Sequence, residues 1–177
     1  PLAFTYEIFL SQLEEVSNIS SDQGSSSGRP GLLGMMFSFN LTSFSEIGFY
    51  RTFQFGGGNR DVNLQDIWDA IKDPVTKDNT GSDGYNQDQA NYEFGNQQAM
   101  ITINTKWNQK TEHPFSLYFL YGGEDTAQHG NSRLGNIVYG QGFYYPFLSN
   151  NISFRYEFIE FQPAWYVHHL YQNGYTN

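Results

Sequence analysis

The residues best equipped for chemistry gather near one end of the chain, where Trp165, Tyr166, His168, His169, Tyr171, Asn173 and Tyr175 stand close together. Flat rings beside amide and imidazole groups suit a saccharide, whose C–H faces stack on rings while its hydroxyls exchange hydrogen bonds. The same cluster would equally serve as an aromatic girdle whose hydrogen bonds order a loop. Adjacent histidines can ligate a metal, but no third ligand stands at a recognisable spacing and there is no His-Glu-x-x-His run. A Ser/His hydrolase needs its nucleophile paired with its base, and nothing in the sequence pairs a particular serine with His168 or His169.

A second concentration is Gly122-Gly123-Glu124-Asp125, whose carboxylates could orient a sugar hydroxyl or bind a cation. Neighbouring residues in a strand point to opposite faces, so Glu124 and Asp125 cannot act as one glycosidase pair. A third is the acidic stretch with Asp78, Asn79, Asp83, Asn86 and Asp88, which lacks the Gly and terminal Glu spacing of an EF-hand. A solvated loop is its default reading, with calcium as the alternative.

The elements that must position these residues are two-faced strands. From Ile152 to Phe158 the even-numbered residues are large and apolar and the odd ones polar or ionised, which gives one oily and one wet face. Similar segments of about ten residues recur, the length of a tilted strand that crosses a bilayer. Strands are predicted at Leu2–Gln12, Leu32–Asn40, Glu46–Phe55, Gln97–Trp107, Phe115–Glu124, Leu134–Phe143 and Ile152–Phe161. Leu2, Phe4, Tyr6, Ile8 and Leu10 would face lipid, with Thr5, Glu7 and Ser11 inward. Arg155 and Glu157 would be inward charges able to pair with adjacent strands. Arg51 shares its parity with Ile47, Phe49, Phe53 and Phe55, a conflict that a register-shifting bulge or snorkelling toward headgroups would resolve. Leu134–Phe143, with Gly135, Gly140 and Gly142, alternates poorly.

The connections alternate in length. Those at 14–31, 56–96, 125–133 and from Gln162 onward are the longer ones; those at 41–45, 108–114 and 146–151 are short turns. Up-and-down outer-membrane barrels have that asymmetry, with short periplasmic turns and longer extracellular loops. Within 56–96, Leu64, Ile67, Trp68 and Ile71 recur at helical spacing, predicting one short amphipathic helix over Val62–Lys72, placed over the mouth or in the lumen as a partial plug.

Composition agrees: 16 Phe, 13 Tyr and 3 Trp in 177 residues exceed what an ordinary core needs, and no Cys is present for a disulfide framework. A mean hydropathy of −0.55 is compatible with a barrel, because half of each strand and all loops are polar. The net charge of −9, with 9 Lys and Arg, argues against a nucleic-acid surface. A soluble antiparallel sandwich alternates in the same way, and pattern alone leaves it as the alternative. The fold class expected is all-β: an antiparallel up-and-down transmembrane barrel, of which residues 1–177 form a single domain and a partial, seven-stranded share. Seven strands leave two edges that hydrocarbon does not tolerate, so the chain is expected to be an internal piece of a longer one.

Several blocks in order resemble the capsule assembly proteins called Wzi. They are Glu46-Ile47-Gly48-Phe49 with Arg51-Thr52 and Gln54-Phe55-Gly56-Gly57; Asp78-Asn79, then Asn96-Gln97 and a strand ending at Trp107; Leu117-Tyr118 leading to Gly123-Glu124-Asp125; and Tyr156-Glu157 followed by Tyr166, His168, Tyr171, Gly174 and Tyr175. Phe161-Gln162 departs from the small polar pair expected there. The resemblance implies an outer-membrane barrel of about eighteen strands, within the even-numbered range of such barrels, that attaches capsular polysaccharide to the cell surface as a lectin-like anchor. Trp165, Tyr166, His168, His169, Tyr171 and Tyr175 are then the stacking and hydrogen-bonding candidates, and Glu124 and Asp125 the orienting carboxylates. Expected partners are capsular polysaccharide or exopolysaccharide and outer-membrane lipid, with no nucleic acid and no cofactor. Divalent cations would bridge an acidic surface to an anionic capsule. A channel for small solutes or sugars is the alternative function, and an outer-membrane hydrolase a second.

Overall fold

A computed structural model describes residues 3–21, 23–72, 95–107, 114–126, 134–149, 151–162, 165, 168 and 170–174, with the side chains at 125, 126, 148 and 149 excepted. Seven strands make one antiparallel sheet: β1 (Phe4–Gln12), β4 (Gly31–Asn40), β5 (Ser45–Phe55), β6 (Gly95–Trp107), β7 (Phe115–Thr126), β8 (Leu134–Ser149) and β9 (Ile152–Phe161), in that spatial order. The sheet is open, with β1 and β9 at its edges. Chain order and spatial order agree along it, so this is the up-and-down all-β topology of a partial barrel.

The interruption between β1 and β4 is a hairpin of β2 (Val16–Ser21) and β3 (Gly24–Gly28), which the Ser/Gly-rich composition had disguised as loop. β8 is the longest strand, although it was the least regular in sequence. It runs through Pro146 to Ser149, where a turn was expected. The missing amide of proline is absorbed by a register break with β9 between Tyr145 and Ser149.

The ladder places one parity of each strand on each face. Phe37, Phe49, Ile101, Tyr121 and Tyr139 follow one another across β4 to β8. With Phe4, Tyr6 and Ile8 of β1 and Phe154, Tyr156 and Phe158 of β9, they form the apolar face. The other face carries Glu7, Ser38, Glu46, Thr102, Asn104, Glu124, Arg155 and Glu157. On it Glu157 accepts hydrogen bonds from Tyr118 and Arg155, both at 2.9 Å, so these charges pair with each other along β9 and with a hydroxyl two strands away, not with the adjacent strand as expected. A polar intruder on the apolar face, Gln141, is satisfied on its own strand by the Tyr139 hydroxyl at 2.9 Å.

At the short-turn end the apolar face closes in a belt of rings. Phe44 meets Trp107 edge-on at 5.1 Å, Trp107 stacks on Phe115 at 6.3 Å, and Phe143 lies 6.0 Å from Phe115 and 6.2 Å from Phe154. Along β6 the apolar row climbs from Trp107 to Ala99 and turns polar at Gln97. Ten residues of strand span about 33 Å, or about 25 Å along the normal of a strand tilted near 40°, which is the height of a barrel's apolar band.

Above that band the apolar parity persists in Leu33, Phe53 and Phe55, and α1 (Leu64–Lys72) covers them. Ala70, Ile67 and Ile71 pack there, together with Val62 and Met35. The helix therefore lies on the apolar face, and neither in the lumen nor over the mouth as the sequence led one to expect. Its start is fixed by Asn63, whose side-chain oxygen accepts from the amides of Gln65 (2.8 Å) and Asp66 (3.1 Å), while Asp66 reaches back to the Asn63 amide. Its predicted stop at Asp73-Pro74 and the acidic stretch that follows lie outside the described residues.

Arg51 needs no bulge, since the ladders of β5 with β4 and β6 run unbroken past it. Its guanidinium donates to the Gln97 side chain and lies 4.3 Å from the centroid of the Phe53 ring, at the upper edge of the apolar band.

Candidate functional site

After β9 the chain turns back across the polar face as a strap. Gln162 prolongs the pairing with β8, donating to Ile137 O and accepting from the Ile137 amide, both at 3.1 Å. Successive turns follow: the Trp165 amide donates to Gln162 O at 3.0 Å, that of Tyr171 to His168 O at 3.0 Å and that of Gly174 to Tyr171 O at 2.8 Å. The His168 imidazole is part of this local order, its Nδ1 accepting from the Leu170 amide at 3.3 Å.

Four elements hold the strap. On β6, Gln98 donates to Trp165 O at 2.8 Å; on β5, Gln54 donates to Gly174 O at 3.0 Å. On β2, the Ser20 amide donates to Leu170 O at 2.9 Å, and Asn173 donates to the Ser17 hydroxyl at 2.9 Å. Past the end of β5, the Tyr171 hydroxyl donates to Gly56 O at 3.0 Å. Val16, Ile19, Leu170 and Tyr171 close a small core between hairpin and strap. This explains why a hairpin forms there: Val16 and Ile19 have a partner only once the far end of the chain arrives.

The turn that receives Tyr171 depends on glycine. Gly56, Gly57 and Gly58 have φ of 65°, 85° and 57°, a left-handed succession that side chains resist. Gly28 of β3 approaches it so closely that a Cβ there would stand 2.1 Å from the Gly58 nitrogen.

Glu124 is buried beneath the strap. The β7–β8 register shifts on either side of it, and its carboxylate accepts from Gln98 at 3.3 Å and from Asn136 at 2.7 Å. It thereby fixes the amide that holds Trp165 O. Burial of Tyr171 pushes its hydroxyl up to about 12, against a smaller opposing pull from the Arg60 guanidinium, which also donates to Ser20 O at 3.1 Å.

Of the candidates named from sequence, the structure thus brings Trp165, His168, Tyr171 and Glu124 to one end of the sheet, all between 1 and 8 % exposed. Tyr166, His169 and Tyr175 lie outside the described residues, as does the side chain of Asp125. Among the described residues no three His, Asp or Glu converge as metal ligands. Missed from sequence were Gln54, Gln98, Asn136 and Arg60. Their signal was present for the first two: amides of one parity at the strand ends that meet the long connections. Beside them the fully buried Asn96 amide and the Gln54 side-chain oxygen have no hydrogen-bond partner among the described residues, capacity of the kind ordered water fills. At the opposite end of the polar face, Glu46, Asn104, Lys106, Tyr118, Tyr144 and Arg155 line a hollow of about 560 Å³.

The profile of the capsule assembly protein Wzi family matches residues 3–177. The chain belongs to that family. Its general role is therefore capsule assembly, and its open antiparallel sheet is part of an outer-membrane β-barrel. No curated protein and no solved structure matches it. The family's Gly-Gly after β5 and its Tyr/His-rich segment after β9, far apart in sequence, meet here through Tyr171 and Gly56.

Proposed function

We propose that this Wzi-family barrel anchors capsular polysaccharide or exopolysaccharide at the cell surface as a lectin-like, non-catalytic binder, with its long connections extracellular. The observation that carries it is the strap: a ring- and amide-rich segment tied by side chains of β5 and β6 and by the β2–β3 hairpin into one fixed surface at the long-connection end. Preorganised ring and amide groups bind a repetitive polymer without a large ordering cost. Within the cluster, the buried Trp165, His168, Tyr171 and Glu124 hold the frame, and Tyr166, His169, Tyr175 and Asp125 are the groups proposed to reach the saccharide. The local bond of His168 to its own strap supports a structural over a general-base role. Among the described residues β1 and β9 each pair on one side alone, and hydrocarbon does not tolerate open edges, which supports closure of the barrel by further strands.

The test is binding of purified capsular polysaccharide to cells displaying the full-length protein. Substituting Tyr166, His169, Tyr175 and Asp125 should reduce binding without turnover of the polymer, and release of cleaved saccharide would overturn the non-catalytic reading. One observation favours a channel as the second reading, the charged hollow lined by Glu46, Lys106 and Arg155 on the polar face. Planar-bilayer conductance of the full-length protein separates the two. The strap across the polar face supports a closed lumen.

A further inference from the structure

Beneath the lower edge of α1 the apolar face is indented. Phe37, Phe49, Arg51, Ile71, Ile101 and Tyr121 line a groove of about 500 Å³, a volume within the range of small-molecule sites. Three observations say what fills it. It opens on the face that meets lipid, so hydrocarbon and not water is the available occupant. Among the described residues its wall is aliphatic and aromatic with one charged residue, the cation Arg51. And the Arg51 backbone lies in the Ala99 row, about 20 Å along the normal from the Trp107–Phe115 belt, from which its guanidinium reaches up to the Gln97 side chain at headgroup depth.

We propose that this groove holds an acyl chain of a phosphate-bearing lipid from the leaflet at the long-connection end, with Arg51 at the phosphate. The Arg51 guanidinium is held at the rim by Gln97 and the Phe53 ring, so the charge is oriented before the lipid arrives. A guanidinium has five donors in a planar fork, which allows it to serve an amide oxygen and a phosphate together. α1 completes the site. Ile71 closes the groove from above, while Trp68 (55 % exposed) and Leu64 (83 %) face away from the sheet, as expected of a helix lying at a membrane interface. Asp69, the nearest helix carboxylate to Lys72, is paired with it at 3.0 Å, and Lys72 also lies over the Trp68 ring. The site concerns how the barrel holds its membrane and stands apart from polysaccharide binding on the other face.

Native mass spectrometry of the full-length protein, extracted from nanodiscs containing phosphatidylglycerol or a phosphate-free galactolipid with the same acyl chains, tests this. One phosphatidylglycerol should survive delipidation on the wild type and the galactolipid should not. Arg51→Gln should reduce the retained phosphatidylglycerol at least fivefold, and Ile71→Trp, which fills the groove, should do the same with Arg51 intact. Lys106→Gln, on the polar face, should leave retention unchanged. Equal retention in Arg51→Gln and wild type, or equal retention of both lipids, overturns the proposal. So does retention in properly folded Ile71→Trp.

Discussion

Removing the Tyr171 ring should unlatch the strap while leaving the sheet intact. The side chain is 1 % exposed, packs with Val16, Ile19 and Leu170, and donates its hydroxyl to Gly56 O. Truncating a buried aromatic to alanine costs about 3–5 kcal/mol, and a single hydrogen bond about 1 kcal/mol of that order. The strap contacts the sheet at a few points beyond the strand ladder, so the loss should appear as local opening. Its reporter is the Ser20 amide, which donates to Leu170 O. At 1.4 kcal/mol per tenfold, Tyr171→Ala should lower protection of Ser20 by about 100- to several thousand-fold, and Tyr171→Phe by about five- to tenfold. The assay is hydrogen–deuterium exchange on the full-length protein, with amides of β5 and β6 such as Phe49 and Ile101 as internal references that should not change. If Ser20 in Tyr171→Ala stays within about threefold of wild type, the strap is held by something other than this core.

Further outcomes follow from the same geometry. The Tyr171 hydroxyl is raised by burial to about 12, so its contribution is complete below the ordinary tyrosine value near 10 and is lost between about pH 10 and 12, an effect of about 3 kcal/mol. Trp165 fluorescence, with Trp68 and Trp107 replaced by Phe, should report that release, and Tyr171→Phe should abolish its pH dependence. Glu124→Ala leaves Gln98 and Asn136 without their buried acceptor and should destabilise strap docking by about 1–3 kcal/mol, read by the same fluorescence under urea. Gly28→Ala places a Cβ against the backbone of Gly58 and should separate the hairpin from the glycine turn, lowering protection of Ser20 as Tyr171→Ala does. If divalent cations bridge the acidic surface to an anionic capsule, chelator should weaken polysaccharide binding to cells. Unchanged binding in chelator would remove the bridge.

Most of the sheet was legible in sequence because period-two alternation is a local property. Each strand carries its own record of which side is apolar, and the limits of β9 could be read from neighbours alone, whereas the pairing of Arg155 with Glu157 along their own strand could not. β8 was harder to read because Gly140 and Gly142 leave gaps in one parity. Those gaps are needed: a Cβ at Gly142 would stand 2.0 Å from the Tyr118 ring of the adjacent strand. The hairpin was hidden for a related reason, since Val16 and Ile19 are its main apolar residues and their partners Leu170 and Tyr171 are distant in the chain.

The sequence by itself therefore determined the seven strands of the main sheet, their two faces, the alternation of long and short connections and a helix over Val62–Lys72, all of which depend on residues within a few positions of one another. Tertiary structure alone decided where the helix docks and what the Tyr/His-rich segment touches. Amphipathicity states that α1 has an oily side, while only the stacked Leu33, Phe53 and Phe55 above the membrane band say which surface needs covering. Likewise the rings and imidazoles after β9 announce chemistry by their types. It is the arrival of Gln54 and Gly56 at the end of β5, Gln98 of β6 and Ser20 of β2 that buries Trp165, His168 and Tyr171 as the frame of the site.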